Sequence, residues 1–150
     1  MAGSKYASTG TQNVATPADS VLGITGTAAQ RLWCHFFCLS SYATPADNAI
    51  FWTLQRYTAA GTSTGVTPVA LDPADPASVG VSGENHTVEP TYTAATELWE
   101  NAVNQRASLQ LWCAPGGEFV CPATAAAGIG WQPLHASFTG VVECSTHWTE

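Results

Sequence analysis

Short apolar runs, interrupted by turn-forming residues about every 8 to 12 positions, dominate this sequence. The runs span residues 21–24, 31–40, 50–57, 66–71, 78–81, 96–103, 107–114, 118–121, 128–134 and 138–148. Long helices have little room between the turns, and even residues 93–104, the best helical candidate, are expected to form a strand or a loop. The sequence therefore predicts an all-β fold, either a sandwich or a barrel.

Alternate side chains of a strand point to opposite faces of its sheet, so the two faces of a run can be compared. In the run 50–57, Trp52 and Leu54 share one face, while Phe51 and Tyr57 share the other. Large side chains thus occupy both faces. A strand covered on both sides is typical of two packed sheets or of a contact between subunits.

The chain has 150 residues, which is the usual size of one domain. Its first 20 residues are small and polar and show no apolar periodicity. We therefore predict an N-terminal arm over residues 1–20 and one β-sandwich domain over residues 21–150.

Charged residues make up only 10% of the chain, against about 25% in typical soluble domains. The net charge is −7, and the four cations, Lys5, Arg31, Arg56 and Arg106, are dispersed, whereas nucleic-acid binding needs clustered Lys or Arg. No apolar run approaches the roughly 20 residues that span a bilayer, and the first residues lack the apolar core of a signal peptide. We expect a soluble, cytosolically made protein with no nucleic-acid or membrane partner.

The chain contains five cysteines and four histidines, at positions 34, 38, 113, 121 and 144 and at positions 35, 86, 135 and 147. Cys34 and Cys38 lie in a run expected to be a strand, where four residues span about 13 Å, too far for one ion or one disulfide. Only Cys144 and His147 have a familiar ligand spacing, and the odd number of cysteines argues against a disulfide framework. We expect five reduced thiols and no metal or other cofactor.

The sequence contains no Gly-x-Ser-x-Gly elbow, phosphate loop or His-Glu-x-x-His motif. Glu84 and Glu89 have the chemistry of a glycosidase pair, but carboxylates in an acidic, turn-rich segment are usually only solvated. We therefore predict no catalytic residue and no enzymatic activity.

Six tryptophans, at positions 33, 52, 99, 112, 131 and 148, are candidates for a binding surface. Aromatic faces can stack on sugars, but large aromatic side chains more often occupy protein cores and protein interfaces. We favour a core or interface role for them over a sugar platform.

Two arginines, Arg56 and Arg106, are conspicuous because the chain has so few cations. They are candidate anion anchors. We favour instead that they pair with carboxylates such as Asp72, Glu89 or Glu97 at a sheet edge or subunit seam, because the guanidinium group suits bidentate pairing.

Several segments resemble, in the same order, a pattern found in small structural proteins of tailed bacteriophages. They are FWTLQRYTAAGT at 51–62, EPTYT at 89–93, NQRA at 104–107, APGGE at 114–118 and PATAAAGIG at 122–130. The resemblance extends over about residues 30–150. The cysteines form no part of it, and no catalytic residue is transferred by it.

The family resembled is that of capsid decoration, or cement, proteins. The resemblance implies a jelly-roll-like β-sandwich, a homotrimer bound to the major capsid protein on the outer surface of the virion head, and an extended N-terminal arm that adds a strand to a neighbouring subunit. Arg56, Arg106, Asp72 and Glu89 are then the candidate subunit or capsid contacts. A tail or fibre module of the virion and a carbohydrate-binding β-sandwich remain the alternatives, because turn and strand motifs mark a fold better than a function.

Overall fold

The computed structural model describes residues 3–14, 19–134 and 140–150, and no helix in this part of the chain is long and apolar enough to cross a membrane. It contains twelve strands: β1 (Lys5–Val14), β2 (Leu22–Thr25), β3 (Leu32–Tyr42), β4 (Ala49–Ala59), β5 (Thr62–Val66), β6 (Val69–Ala70), β7 (Val81–Val88), β8 (Thr91–Asn104), β9 (Leu109–Trp112), β10 (Phe119–Cys121), β11 (Gly128–Pro133) and β12 (Gly140–Thr149).

The strands form two antiparallel sheets of six strands each. Sheet A has the order β10-β3-β12-β1-β6, and β9 pairs with β3 beyond the end of β10. Sheet B has the order β5-β7-β2-β11-β4-β8. The two sheets pack face to face, so the predicted all-β sandwich is confirmed. Residues 93–104 belong to strand β8, as expected.

The core lies between the sheets and is built around buried aromatic side chains. Phe37 of sheet A faces Trp131 of sheet B with ring centroids 6.0 Å apart, and it meets Trp99 edge-on at 5.2 Å. Trp52 and Leu54 of β4 point into this core. Alternation along the strands thus places one set of apolar side chains between the sheets.

The outer face of β4 is covered in part, because Phe51 on that face is 38% exposed. Thr53, Gln55 and Tyr57 are buried there within the same chain. Gln55 donates from Nε2 to the carbonyl oxygen of Thr93 at 2.7 Å. Part of this cover comes from neighbouring strands of the same chain, such as β8 at Thr93.

The structure differs from the predicted arm over residues 1–20. Lys5–Val14 is strand β1, which pairs with β12 along its full length and with β6 on its other side. Its buried side chains alternate, but the inward set includes Ser8 and Gln12, which form hydrogen bonds instead of apolar contacts. An inward face that is half polar has no apolar periodicity to detect. Residues 1–2 and 15–18 lie outside the described part.

The five cysteines divide into two groups by burial. Cys34, Cys121 and Cys144 are buried, whereas Cys38 and Cys113 are partly exposed. Burial raises the pKa of Cys121 to about 12, and Arg56 opposes this rise. The buried thiols are therefore protected both from contact with reagents and from ionisation.

Thiol labelling of the native protein is expected to modify only Cys38 and Cys113, and labelling in denaturant all five cysteines. The native reaction should be slow at pH 7, because burial raises the pKa of both thiols and the thiolate is the nucleophile. Mass spectrometry of the labelled protein measures both numbers. The double variant Cys38→Ser, Cys113→Ser serves as the control and should stay unlabelled until denatured.

Candidate functional site

The outer face of sheet A carries a cluster of rings that we call the aromatic surface: Trp33, His35, Phe36, Trp112 and His147. A β-bulge in β3 produces it. His147 pairs with Phe36, but the next residue, Trp148, pairs with Cys34, so that His35 is the extra residue. The bulge places two adjacent residues, His35 and Phe36, on the outer face, so that Phe37 then points into the core.

Four rings of the aromatic surface, those of His35, Phe36, Trp112 and His147, contact one another. Phe36 is buried under this packing, whereas the two tryptophans are open to solvent. The centroid of Phe36 lies 4.4 Å from that of Trp112 and 4.6 Å from that of His147. Trp112 is 64% exposed and Trp33 is 38% exposed. Packed rings on a sheet form a rigid apolar platform, which loses little side-chain entropy when a partner covers it.

A cavity of about 430 Å³ adjoins the aromatic surface. Its lining residues are Lys5, Trp33, His35, Cys113, Pro115, Glu118 and Thr149. The cavity lies where the connection between β9 and β10 passes the ends of β1 and β12. Lys5 and Glu118 therefore lie beside the ring of Trp33, at the edge of the aromatic surface, which is otherwise neutral.

The two histidines of the aromatic surface lie close together, with ring centroids 6.3 Å apart. Burial lowers the pKa of His147 below its usual value, and the neighbouring His35 lowers it further. His147 is therefore uncharged at neutral pH. The centre of the aromatic surface can be covered without burying a charge there.

The structure separates the candidate contact residues of the sequence. Arg56 is half-buried on β4, and Arg106 is exposed after β8, where its Nε donates to the carbonyl oxygen of Pro45 at 3.4 Å. Asp72 is exposed in the loop after β6 and accepts from the backbone N–H of Ala74 at 2.9 Å. Among the described residues, neither arginine forms an ion pair with a carboxylate.

Glu89 is half-buried and anchors the chain segment that leads into β2. Its carboxylate accepts hydrogen bonds from the backbone N–H of Ser20 at 2.9 Å and from the Ser20 hydroxyl at 2.5 Å. Gln132 of β11 donates to it at 3.3 Å. This geometry ties three segments of sheet B together, which is a structural role within one chain.

The carboxylates that we expected to be only solvated are in fact bonded. Besides Glu89, Glu84 of β7 accepts from the backbone N–H of Thr11 at 2.6 Å and so links the two sheets. The sequence did not reveal these bonds, because their donors lie about 70 residues away along the chain.

His86 lies beside this network and is only 5% exposed. Its Nδ1 is 2.9 Å from the carbonyl oxygen of Ser20, so Nδ1 carries the proton and donates it. Burial lowers the pKa of His86, while the bond to Ser20 and the charge of Glu89 oppose that effect. His86 is therefore neutral at pH 7.

The native protein is expected to lose stability as the pH falls below about 6.5, the usual pKa of histidine. Unfolding returns the lowered pKa of His86 to that value, so the unfolded chain binds more protons. The contribution is complete above pH 6.5 and is lost progressively below it. Urea unfolding followed by tryptophan fluorescence at pH 7.5, 6.5 and 5.5 measures this. The His86→Gln variant should show a flatter dependence, and an equal slope in both proteins would contradict the assignment.

The tryptophans have divided roles. Trp52, Trp131 and Trp148 are buried in the core, Trp99 is half-buried, and Trp33 and Trp112 are exposed. The buried tryptophans therefore have the expected core role, and the exposed Trp33 and Trp112 lie on the aromatic surface, where they are available for an interface. Alternation in the run 107–114 does place Trp112 opposite Leu109 and Leu111, and this signal could have identified it as an outward residue.

No protein-family model matches the sequence, and no curated protein or solved structure shows significant similarity to it. The proposed function therefore rests on the surfaces of the molecule together with the sequence resemblance described above.

Proposed function

We propose that this protein is a structural protein of a tailed-bacteriophage virion, a decoration protein that binds the outside of the head and stabilises the lattice of the major capsid protein. The observation that carries the proposal is the aromatic surface on sheet A. It joins exposed indole rings to neutral side chains on a rigid sheet. Aromatic enrichment with depletion of charge is typical of the centre of a protein interface.

The residues around the aromatic surface support a protein partner. The cross-strand row beside the rings consists of Thr9, Ser145, Cys38 and Gln110, all neutral. Lys5 and Glu118 lie at the rim, where charges influence orientation more than affinity. Covering the centre therefore has a small desolvation cost.

A decoration protein acts by mass action. It binds the assembled shell and not the free capsid subunit, so it stabilises the shell in proportion to its binding free energy. A rigid sandwich with its contact surface already formed suits that role, because little ordering accompanies binding.

The proposal includes a homotrimer, which follows from the resemblance. Light scattering at micromolar concentration is expected to report three chains per particle. The exposed Arg106 and Asp72 are available for contacts between subunits or with the capsid, whereas Glu89 is already engaged within its own chain.

The test combines copy number with a surface variant. Quantitative mass spectrometry of purified virions should find hundreds of copies, where a fibre module would give far fewer. The Trp33→Ala, Trp112→Ala variant should bind undecorated heads at least about 30-fold more weakly, since even one central aromatic anchor contributes about 2 kcal/mol or more.

Val88→Ala provides the matched control, because Val88 is 58% exposed on sheet B, on the other side of the sandwich. It should bind heads like the parent protein. Equal retention of the tryptophan variant and the parent would remove the aromatic surface from the proposal, and a low copy number would replace decoration with a tail or fibre role.

A further inference from the structure

Four glycines form a row across the outer face of sheet B. Gly65 of β5 is paired with Gly83 of β7, Gly83 with Gly23 of β2, and Gly23 with Gly130 of β11. One glycine on each of four neighbouring strands forms a shallow trough, which we call the glycine trough. Ser63 covers it at Gly83, where a Cβ would lie 2.1 Å from the Ser63 hydroxyl oxygen. Glycine inside a strand weakens it, so such a row demands an explanation.

One end of the glycine trough is filled by the protein. A Cβ at Gly130 would lie 2.2 Å from the Tyr92 hydroxyl oxygen, so Tyr92 occupies that end. Next to it, the Tyr57 ring covers Gly128, where a Cβ would lie 2.5 Å from the ring carbon Cζ. These two glycines are therefore explained by close packing of tyrosines.

The other end of the glycine trough is open. A Cβ at Gly65 would meet no atom within 4 Å. A cavity of about 240 Å³ lies there, and its lining residues are Gly23, Thr25, Tyr57, Ala60, Ser63, Gly65, Val81, Ser82, Gly83 and His86. None of these residues carries a full charge at neutral pH, and four of them bear hydroxyl groups.

A polar atom of His86 faces this open end. Nδ1 of His86 donates to Ser20, which leaves Nε2 as an acceptor. Nε2 forms no hydrogen bond with a described residue, and it is reached through the cavity, whose lining includes His86. A Cβ at Gly23 would lie 3.3 Å from His86 Nε2 and 3.3 Å from the Tyr57 hydroxyl oxygen, so both polar atoms lie next to this glycine. An accessible acceptor of this kind can receive a hydrogen bond from a bound hydroxyl group in place of water.

We propose that the open end of the glycine trough binds one neutral sugar unit, with a sugar hydroxyl donating to His86 Nε2. The ligand is neutral because no charged lining residue offsets the burial of a charge. It presents hydroxyl groups because Tyr57, Thr25, Ser63 and His86 line the cavity with polar atoms. The hydroxyls of Tyr57 and Thr25 bond to each other at 2.8 Å, and each keeps the capacity for a further hydrogen bond. Ala60 and Val81 supply apolar contact for the C–H face of the ring. The volume suits a single ring and not an oligosaccharide.

This site is independent of the proposed virion role, because it lies on sheet B, opposite the aromatic surface. Saturation-transfer NMR of the full chain with methyl glucoside, methyl galactoside and methyl mannoside, each at about 10 mM, tests it. At least one sugar should receive saturation. A polysaccharide whose chains end in the same sugar is then added as a competitor. Strong displacement of the methyl glycoside identifies a chain end as the preferred ligand, and weak displacement identifies a free sugar.

Two variants, Gly65→Val and His86→Phe, locate the binding, and Thr64→Val is their control. Gly65→Val places a side chain in the open end without a clash and should reduce the signal at least about tenfold. Thr64→Val, at the adjacent exposed residue of the same strand, should leave the signal unchanged. His86→Phe should also abolish the signal, since it removes the acceptor. Urea unfolding verifies that each variant is folded.

Three outcomes would overturn the proposal. In the first, no methyl glycoside receives saturation from the parent protein. In the second, Gly65→Val and Thr64→Val give equal signals, which would place binding elsewhere. In the third, the sugars fail but Gly65→Val weakens binding to phage heads, which would assign the cavity to a partner side chain.

Discussion

Deletion of residues 1–20 is expected to unfold the protein. Strand β1 lies between β12 and β6, and ten residue pairs join it to β12. Its removal takes two buried side chains out of the core, Val14 and Tyr6, and exposes Trp148, whose ring lies 6.1 Å from that of Tyr6. Together these losses exceed the 5 to 15 kcal/mol by which domains are typically stable. Thermal unfolding followed by near-ultraviolet circular dichroism should show no cooperative transition.

Point variants in β1 test whether the lost stability comes from the buried side chains of this strand and not from the shorter chain. Tyr6→Ala removes a side chain that is 1% exposed and should cost about 3 to 5 kcal/mol of unfolding free energy. Asn13→Ala, at an exposed position of the same strand, should change the stability by less than about 0.5 kcal/mol. A truncated protein that kept the parent's unfolding midpoint would instead support a detachable arm.

Trp131→Ala is expected to produce the largest loss of stability among the tryptophan variants, about 3 to 5 kcal/mol. Trp131 is fully buried on β11, where it is paired with both Leu22 and Leu54 and faces Phe37. Truncation leaves a cavity in the centre of the sandwich, and close-packed neighbours can fill it only in part. Urea unfolding followed by circular dichroism measures the loss.

Two comparisons identify the cause of that loss. Trp131→Phe should cost far less, because the Nε1 of Trp131 has no hydrogen-bond partner among the described residues and most of its apolar contact survives. Trp112→Ala removes the same side chain from an exposed position and should cost about 1 kcal/mol or less. Equal losses for Trp131→Ala and Trp112→Ala would mean that the core is not centred on Trp131.

The fold class was predictable from the sequence because turn residues and alternation are local. Spacing of the turns predicted strands at most of the observed positions, and the run 50–57 predicted the covered strand β4. Strand β1 was missed because Ser8 and Gln12 replace apolar residues on its inward face. Hydrogen bonds to distant residues make that replacement tolerable, and such bonds have no local signal.

The candidate sites were much less predictable. Alternation in the run 107–114 could have identified Trp112 as an outward residue, but the bulge that turns Phe36 toward it appears only when β3 is paired with β12. The glycines at 23, 65, 83 and 130 are far apart in the sequence and form one trough only through the register of four strands. Arg56, Arg106, Asp72 and Glu89 were selected by charge, and the structure places them apart.

The sequence by itself thus determined the all-β class, the approximate position of most strands and the neutral character of the surface, because these properties depend on each residue and its near neighbours. The tertiary structure decided which side chains meet. Register, bulges and sheet pairing bring together residues about 70 or more positions apart, as in the bond between Ser20 and Glu89. A shift of one residue in any ladder would move every side chain of that strand to the other face. Both binding surfaces proposed for this protein therefore exist only in the folded chain.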